Sequence, residues 1–182
     1  MLNNLGAAGA PPNTGATLSG ADRSSAPGAD APINPKVVDC EKGPPSGPLS
    51  DCEKEEVCAK CDELNQKAKA GKLSKPAPSQ YAKSRKAGNR AAKSLVEKAQ
   101  RNPQAGRGLI GFHAATPACQ DEHVQREFKG TSADHVQDIS LGGHPTSSAN
   151  LKWMSSRANS WMGAVMAQYK PAQHDGVVGN CC

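Results

Sequence analysis

A histidine beside an aspartate, followed by two asparagines, carries most of the chemistry that this sequence could support. Asp134 and His135 are adjacent, and Asn150 and Asn159 follow them. Imidazole titrates near neutral pH, so it suits a general base. Carboxylate and amide oxygens suit a hard divalent cation. Hydrolysis of a phosphodiester needs an activated water and a cation at the departing oxygen, so these residue types indicate phosphodiester chemistry.

The intervals between these residues predict the elements that must position them. They suit one strand, one loop and the first turn of a helix. We expect a strand at 132–139, a loop at 141–149, a second strand at 150–153, and then a helix capped by Ser155 or Ser156 that ends before Pro171.

The series Asp134-His135, Gly142-Gly143, Asn150-Leu151 and Asn159 resembles the motifs of the HNH nucleases, also called the ββα-metal or His-Me finger family. It is most similar to the toxin domains of bacterial polymorphic toxins. The resemblance covers the chain after about residue 108. It implies an α+β fold with a small ββα-metal core, to which helices are added.

The resemblance also implies a role for each matched residue. His135 would be the general base that takes a proton from water. Asp134 and Asn159 would be the metal ligands, and Asn150 would orient His135 by bonding to the backbone of the loop. These oxygen ligands favour Mg²⁺, with Mn²⁺ possible and Zn²⁺ less favoured, because Asn159 stands where relatives that hold Zn²⁺ have a histidine.

Position along the chain adds four candidate substrate contacts. Arg157 lies two residues before Asn159, so we expect it to bind the scissile phosphate and to be part of the catalytic set. Arg126 and Lys129 are candidates for flanking phosphates. His144, in the loop, is a candidate substrate contact, with a solvent-exposed loop histidine as the alternative.

Composition limits how much of the chain can form a core. Aromatic residues make up only 3% of the 182 residues, with 18 Gly and 14 Pro, so we expect one small ordered domain. The Gly/Pro/Ser-rich stretch 1–50 predicts a flexible leader. We expect a helical basic extension at 51–107 and an HNH-like nuclease core at 108–182.

The extension contains two predicted helices. Ser50 and Glu53 form a capping-box pattern before a helix at 51–70. A second helix at 79–100 has a thin apolar face, so it must dock on another element to be stable. From Lys67 to Arg107 basic residues recur and are opposed only by Glu97, which favours a polyanion partner or, alternatively, a solvated helix surface. The basic residues are Lys67, Lys69, Lys72, Lys75, Lys83, Arg85, Lys86, Arg90, Lys93, Lys98, Arg101 and Arg107.

The seven cysteines leave three alternatives open. An odd number excludes complete pairing within the chain, and Cys58 and Cys61 have zinc-knuckle spacing without a clear second knuckle. A disulfide framework in the stretch from Cys40 to Cys61, a structural zinc and free thiols all fit the pattern.

These observations favour a metal-dependent DNase. If the resemblance holds, the protein is a secreted antibacterial effector of a type VI or related system. Its partners are then DNA, a cognate immunity protein and a secretion-delivery module, and it acts in the cytoplasm of a target cell. We expect neither a cleaved signal peptide nor a membrane span, because the apolar stretches are too short. The alternatives are a non-catalytic nucleic-acid-binding module and an adaptor stabilised by zinc at Cys52, Cys58 and Cys61.

Overall fold

A computed structural model describes residues 34–182 of the chain. This segment is a mixed α+β structure, as the sequence predicted. Its helices and strands are, in chain order, β1 (Pro35–Val38), α1 (Asp51–Lys69), α2 (Pro78–Arg101), α3 (Pro103–Gly106), β2 (Gly111–Phe112), α4 (Pro117–Gln125), β3 (Thr131–His135), β4 (Leu151–Ser155), α5 (Ser156–Ala167) and β5 (Gly176–Gly179).

Helix α1 begins at the predicted capping box. The backbone N–H of Glu53 donates to Oγ of Ser50 at 3.3 Å, and the backbone N–H of Ser50 donates to Oε2 of Glu53 at 2.9 Å. Two backbone donors that the first turn leaves unpaired are therefore satisfied. Val57 and Leu64 on the apolar face of α1 are fully buried.

A three-stranded sheet of order β2-β4-β3 forms the centre of the second half of the chain. Strands β3 and β4 are antiparallel, with His135 opposite Leu151 and Thr131 opposite Ser155, and β2 runs parallel to β4. Helix α5 follows β4 directly, which confirms the predicted strand, loop, strand and helix order. Strand β3 is shorter than predicted, because Asp138 caps a 3₁₀ turn at Ile139–Leu141 that redirects the chain.

Helix α2 docks on this sheet. Its thin apolar face predicted that it would need to pack on another element to be stable. Ala99 is fully buried in a cluster with Phe128 and Trp153, whose rings lie 4.8 Å apart. The indole N–H of Trp153 donates to the carbonyl of Gly106 at 3.1 Å, which ties α3 to β4. The basic side chains of α2 remain exposed, since only its inner face is used for packing.

A second core lies between α1, α5 and the segments that contain β1 and β5. Val38, Leu64, Met162 and Tyr169 are among its fully or almost fully buried members. Strands β1 and β5 pair in parallel beside it. Residues 34–50 are thus part of the folded unit, and the predicted leader boundary at residue 50 is wrong for them, because β1 finds its partner strand at the far end of the chain. The rest of that leader, 1–33, lies outside the described residues.

The cysteines link remote parts of the chain. Disulfides join Cys40 to Cys181, Cys52 to Cys119 and Cys58 to Cys182, while Cys61 is a buried free thiol. Burial raises the pKa of the Cys61 thiol to about 12, which keeps it protonated and unreactive. No disulfide joins two cysteines within the stretch 40–61. The alternative of a zinc site at Cys52, Cys58 and Cys61 does not fit this state, because Cys52 is bonded to Cys119.

Helix α4 begins at Pro117, which occupies the first turn, where a missing N–H is not needed. No helix between residues 34 and 182 has the length and hydropathy to cross a membrane.

Candidate active site

A cleft of about 440 Å³ lies where α2 and α5 approach the end of β3. His135, Asp134 and Asn159, three of the residues singled out in the sequence, all line it. The remaining lining residues are Tyr81, Arg85, Asn89, Asp138, Ile139, Ser140, Ser160, Gly163, Ala164 and Ala167. Polar and charged side chains therefore face one another across a space large enough for a phosphate group and its neighbours.

The surroundings of His135 select one neutral tautomer of its imidazole ring. Its Nε2 lies 2.9 Å from the carbonyl oxygen of Pro145. A carbonyl oxygen only accepts hydrogen bonds, so Nε2 must carry the proton and donate. In the neutral ring Nδ1 then has the free lone pair. Within residues 34–182 no group hydrogen-bonds to that Nδ1. The imidazole is thus arranged as a base, with Nδ1 as the atom that can take a proton.

The loop that supplies Pro145 is braced by Asn150. Its side-chain oxygen accepts from the backbone N–H of Gln137 at 2.9 Å, and its Nδ2 donates to the carbonyls of Gln137 and His144, each at 3.0 Å. This is the loop contact that the resemblance implied for Asn150. The amide acts on the histidine through the backbone, so Asn150 is a positioning residue.

The Gly-Gly pair lets the braced loop close. Gly142 has a φ of +86°, a conformation that other residues rarely adopt. A Cβ on Gly143 would lie 1.7 Å from the carbonyl oxygen of Gln137, an impossible approach. Both glycines are therefore required by the turn that carries the chain from Asp138 to Pro145.

Asp134 is not arranged as a metal ligand. Both of its carboxylate oxygens accept from Nζ of Lys60, at 2.7 and 2.6 Å, and Oδ2 lies 2.9 Å from Nε2 of His113. Lys60 and Asp134 are almost completely buried. Burial opposes the charged carboxylate, but the charge of Lys60 and the hydrogen bond from His113 outweigh it and lower the pKa of Asp134 to about 2.

The Asp134 network extends away from the cleft. Nδ1 of His113 lies 3.2 Å from a Glu63 oxygen, and Glu63 also pairs with Lys152. Burial disfavours a charged His113, yet its hydrogen bond to Asp134 and the nearby carboxylate of Glu63 raise its pKa. The network joins α1, β2 and β3, so its role is to fix the sheet against α1.

Asn159 is brought to the cleft as expected. It lies in the first turn of α5, and its amide forms no hydrogen bond with another residue of the described segment 34–182. A cation held there would lack the carboxylate that we predicted as its partner, because Asp134 is committed to Lys60. Among residues 34–182, the acidic, cysteine and histidine side chains that converge tightly enough to share an ion are three cysteines elsewhere. Of the two predicted ligands, Asn159 alone is therefore free to bind a cation in the cleft.

Arg157 points away from the cleft, so the prediction that it binds the scissile phosphate is wrong. Its Nε donates to Oε1 of Glu53 at 3.0 Å, its Nη2 also pairs with Glu53, and its Nη groups donate to the carbonyls of Gly47 and Pro48 at 3.2 and 2.8 Å. This guanidinium clamps the segment before α1 to the start of α5. Burial opposes the charge on Glu53, but Arg157 lowers its pKa to about 2.

Three other predicted substrate contacts lie outside the cleft lining. Arg126 pairs with Glu122 and Lys129 pairs with Glu127, both on the surface. They precede β3, whereas His135 ends it, so the length of the strand separates them from the base. Nδ1 of His144 accepts from the backbone of Thr146 and Ser147 and thus stabilises the loop.

Helix α2 contributes three cleft residues that were not predicted as site residues from the sequence. Tyr81, Arg85 and Asn89 are spaced four residues apart, so they share one face of the helix, and that face lines the cleft. The signal was present in this i, i+4, i+8 spacing. The spacing alone does not show which other element this face of α2 packs against. In the structure a Cβ on Gly88 would lie 3.1 Å from the His135 ring, so α2 packs directly against the base.

Comparisons with protein-family models, with curated proteins and with solved structures found no match to this chain. The functional interpretation therefore rests on the residues and their geometry.

Proposed function

We propose that this chain is an endonuclease domain that hydrolyses phosphodiester bonds in DNA, with His135 as its general base. The observation that carries the proposal is the cleft in which His135 and Asn159 face Arg85 and Asn89 of the basic helix α2. A base with a free lone pair thus shares one cleft with a cation and two amides, the groups that a phosphodiester substrate needs.

The chemistry follows from the contacts of His135. Nδ1 takes a proton from a water molecule in the cleft, and the resulting imidazolium is stabilised by the Pro145 carbonyl that already accepts from Nε2. Arg85 neutralises a non-bridging phosphate oxygen, and Asn159 and Asn89 donate to the phosphate. The exposed cations of α2 attract the rest of the polyanion without reading its sequence.

Dependence on Mg²⁺, or on Mn²⁺, stays a prediction of the resemblance. Because Asp134 pairs with Lys60, we derive no step through a cation. The antiparallel strand pair followed by α5 supports membership of the ββα-metal family. With that membership comes the proposed biology: an antibacterial toxin domain delivered into a target cell, held inactive in its producer by an immunity protein.

The test is conversion of supercoiled plasmid, with Mg²⁺, Mn²⁺ or Zn²⁺ added and with EDTA. We expect wild type to nick DNA and His135→Ala to lose about 10²–10⁴-fold in rate, the usual contribution of a general base. His174→Ala is the matched control, since His174 is a half-buried histidine outside the cleft lining. Equal cleavage by His135→Ala and His174→Ala would exclude His135 as the base. An RNA substrate in parallel tests the DNA preference.

A non-catalytic nucleic-acid-binding module is the second candidate, and the exposed basic face of α2 favours it. It predicts salt-dependent binding without cleavage under every metal condition. Arg85→Glu and Lys98→Glu separate the two ideas, because both side chains are exposed on α2 but only Arg85 lines the cleft. A nuclease loses more cleavage through Arg85→Glu, whereas a general polyanion binder is weakened equally by both.

A further inference from the structure

Five sulfur atoms from three parts of the chain lie together beside the β1–β5 sheet. Cys40 follows β1, Cys58 and Cys61 are on α1, and Cys181 and Cys182 follow β5. The Sγ atoms of Cys58, Cys181 and Cys182 all lie within 4.8 Å of one another. Sγ of Cys58 is 3.4 Å from Sγ of Cys181, to which Cys40 is joined. The two disulfides of this sulfur cluster are thus in direct contact.

We propose that, when its disulfides are reduced, this cluster binds one Zn²⁺ ion through the thiolates of Cys40, Cys58, Cys181 and Cys182. A tetrahedral Zn²⁺ with Zn–S distances of about 2.3 Å places its sulfur ligands roughly 3.8 Å apart. Sγ of Cys58 already lies 3.4 Å from Sγ of Cys181, close to that spacing, and Cys40 and Cys182 are bonded to these two sulfurs. The four thiolates released by reduction therefore start close enough to reach one ion. Four soft thiolates select Zn²⁺ over the hard cations.

The change of state balances as two reductions followed by one ligand exchange. Each S–S bond, Cys40–Cys181 and Cys58–Cys182, takes two electrons and two protons from two molecules of a thiol such as glutathione, which leave as one disulfide. Four cysteine thiols result. Zn²⁺ then binds the four sulfurs and releases their four protons to solvent.

Cys61 is left out of the ligand set by its position. It lies against the same cluster, since a Cβ on Gly179 would be 3.5 Å from its Sγ and 3.1 Å from that of Cys182. It is, however, bonded to none of the three converging sulfurs, whereas Cys40 is bonded to one of them, Cys181. It therefore stays a packed thiol in both states.

The two states would fasten the same elements. Oxidised, the disulfides tie the end of β1 and α1 to the residues after β5. In a reducing compartment those two bonds are lost, and the zinc ion joins the same three parts of the chain. The inference does not depend on the nuclease proposal, because it concerns different residues and its readouts are metal binding and stability.

The experiment uses the full chain, reduced with a water-soluble trialkylphosphine, which becomes the phosphine oxide by taking oxygen from water. The probes are Co²⁺, followed by its thiolate charge-transfer absorption, and Zn²⁺, followed by metal content after gel filtration. We expect about one ion per reduced chain and none per oxidised chain. Serine at any of the four ligand positions should weaken binding by more than about 100-fold, the upper range for loss of a mere supporting contact.

The matched control is the double variant Cys52→Ser/Cys119→Ser, which removes the disulfide that lies outside the cluster. It should bind the metal as wild type does, and so should Cys61→Ala. No charge-transfer absorption from reduced wild type would overturn the proposal, as would equal loss of binding in the control. Loss in Cys61→Ala would overturn the ligand set.

One measurement does not depend on the folding of any variant. Reduced wild type is alkylated with and without Zn²⁺, and the modified cysteines are identified by mass spectrometry. Zn²⁺ should protect the four ligands and leave Cys52 and Cys119 reactive. Equal protection of all six, or of none, would contradict a site at the sulfur cluster.

Discussion

Removing the charge of Asp134 by Asp134→Asn should destabilise the fold strongly, because Lys60 would be left buried without a counter-charge. Nζ of Lys60 lies 2.6 and 2.7 Å from the two oxygens of Asp134, and the Lys60 side chain is fully buried. Breaking a buried pair by removing one partner costs about 3–5 kcal/mol. That is a large fraction of the stability of a typical domain, which is about 5–15 kcal/mol.

The pKa of Asp134 gives a second, independent size for the effect. The network lowers that pKa from 3.8 to about 2, and each unit corresponds to about 1.4 kcal/mol, so the folded state favours the carboxylate by about 2–3 kcal/mol. A folded-state pKa below the unfolded one means that this contribution is complete above pH 4 and disappears as the pH falls toward 2. The wild-type advantage over Asp134→Asn should therefore shrink across that acid range.

Urea unfolding followed by circular dichroism measures the loss. With a slope of about 2 kcal/mol per molar urea, the midpoint at pH 7 should fall by about 1.5–2.5 M. The double variant Lys60→Met/Asp134→Asn should recover part of the loss, since no unpaired charge remains, and the cycle should show a coupling of about 1–3 kcal/mol.

The same variants distinguish a structural anchor from a metal ligand. If Asp134 held Mg²⁺, Lys60→Met would free its carboxylate and increase the stabilisation of the fold by added Mg²⁺. We expect no such increase. Unfolding of Asp134→Asn within about 0.5 kcal/mol of wild type, the range of ordinary surface substitutions, would refute the buried-pair argument.

Three further substitutions test the surroundings of the base. Asn150→Ala should destabilise the fold by about 2–3 kcal/mol by leaving backbone groups unpaired. It should also lower kcat about 10–100-fold with little change in KM, measured in plasmid-nicking kinetics. Gly88→Ala places a Cβ 2.5 Å from Ile139 and 3.1 Å from the ring of His135. It should reduce cleavage while thermal unfolding changes little, because alanine gains about 1 kcal/mol in a helix. Arg157→Ala should lower thermal stability by about 2 kcal/mol and leave cleavage per folded molecule unchanged. Loss of activity without loss of stability would instead show that Arg157 contacts the substrate.

Features that depend on near neighbours in sequence could be predicted. The capping box of α1 joins residues three positions apart, and the loop contact of Asn150 to Gln137 spans 13 positions. Such contacts are set by turn and cap chemistry that the local sequence contains. The strand, loop, strand and helix order around His135 followed from the same local information.

Contacts between remote residues could not be predicted. The partner of Asp134 lies 74 positions away and that of Arg157 lies 104 positions away. Nothing in the local pattern distinguishes a lysine on α1 that will be fully buried from one that will be solvated, since both stand in a charged, helix-forming segment. The pairing of β1 with β5 could not be predicted for the same reason. The two strands are about 140 residues apart, and neither sequence specifies its partner.

Strand geometry explains why the neighbours Asp134 and His135 had such different outcomes. Adjacent strand residues project to opposite faces, so what a side chain does depends on the element that covers its face. The face of His135 is closed by its own loop, through Pro145, and by α2 at Gly88. The face of Asp134 is covered by α1, which brings Lys60. A motif therefore predicts the chemistry of a residue whose surroundings the motif itself builds. For a residue whose partner lies on a distant helix, as for Asp134, the motif specifies only the charge of the side chain. The side chain that the helix brings determines whether that charge binds an ion or stabilises the fold.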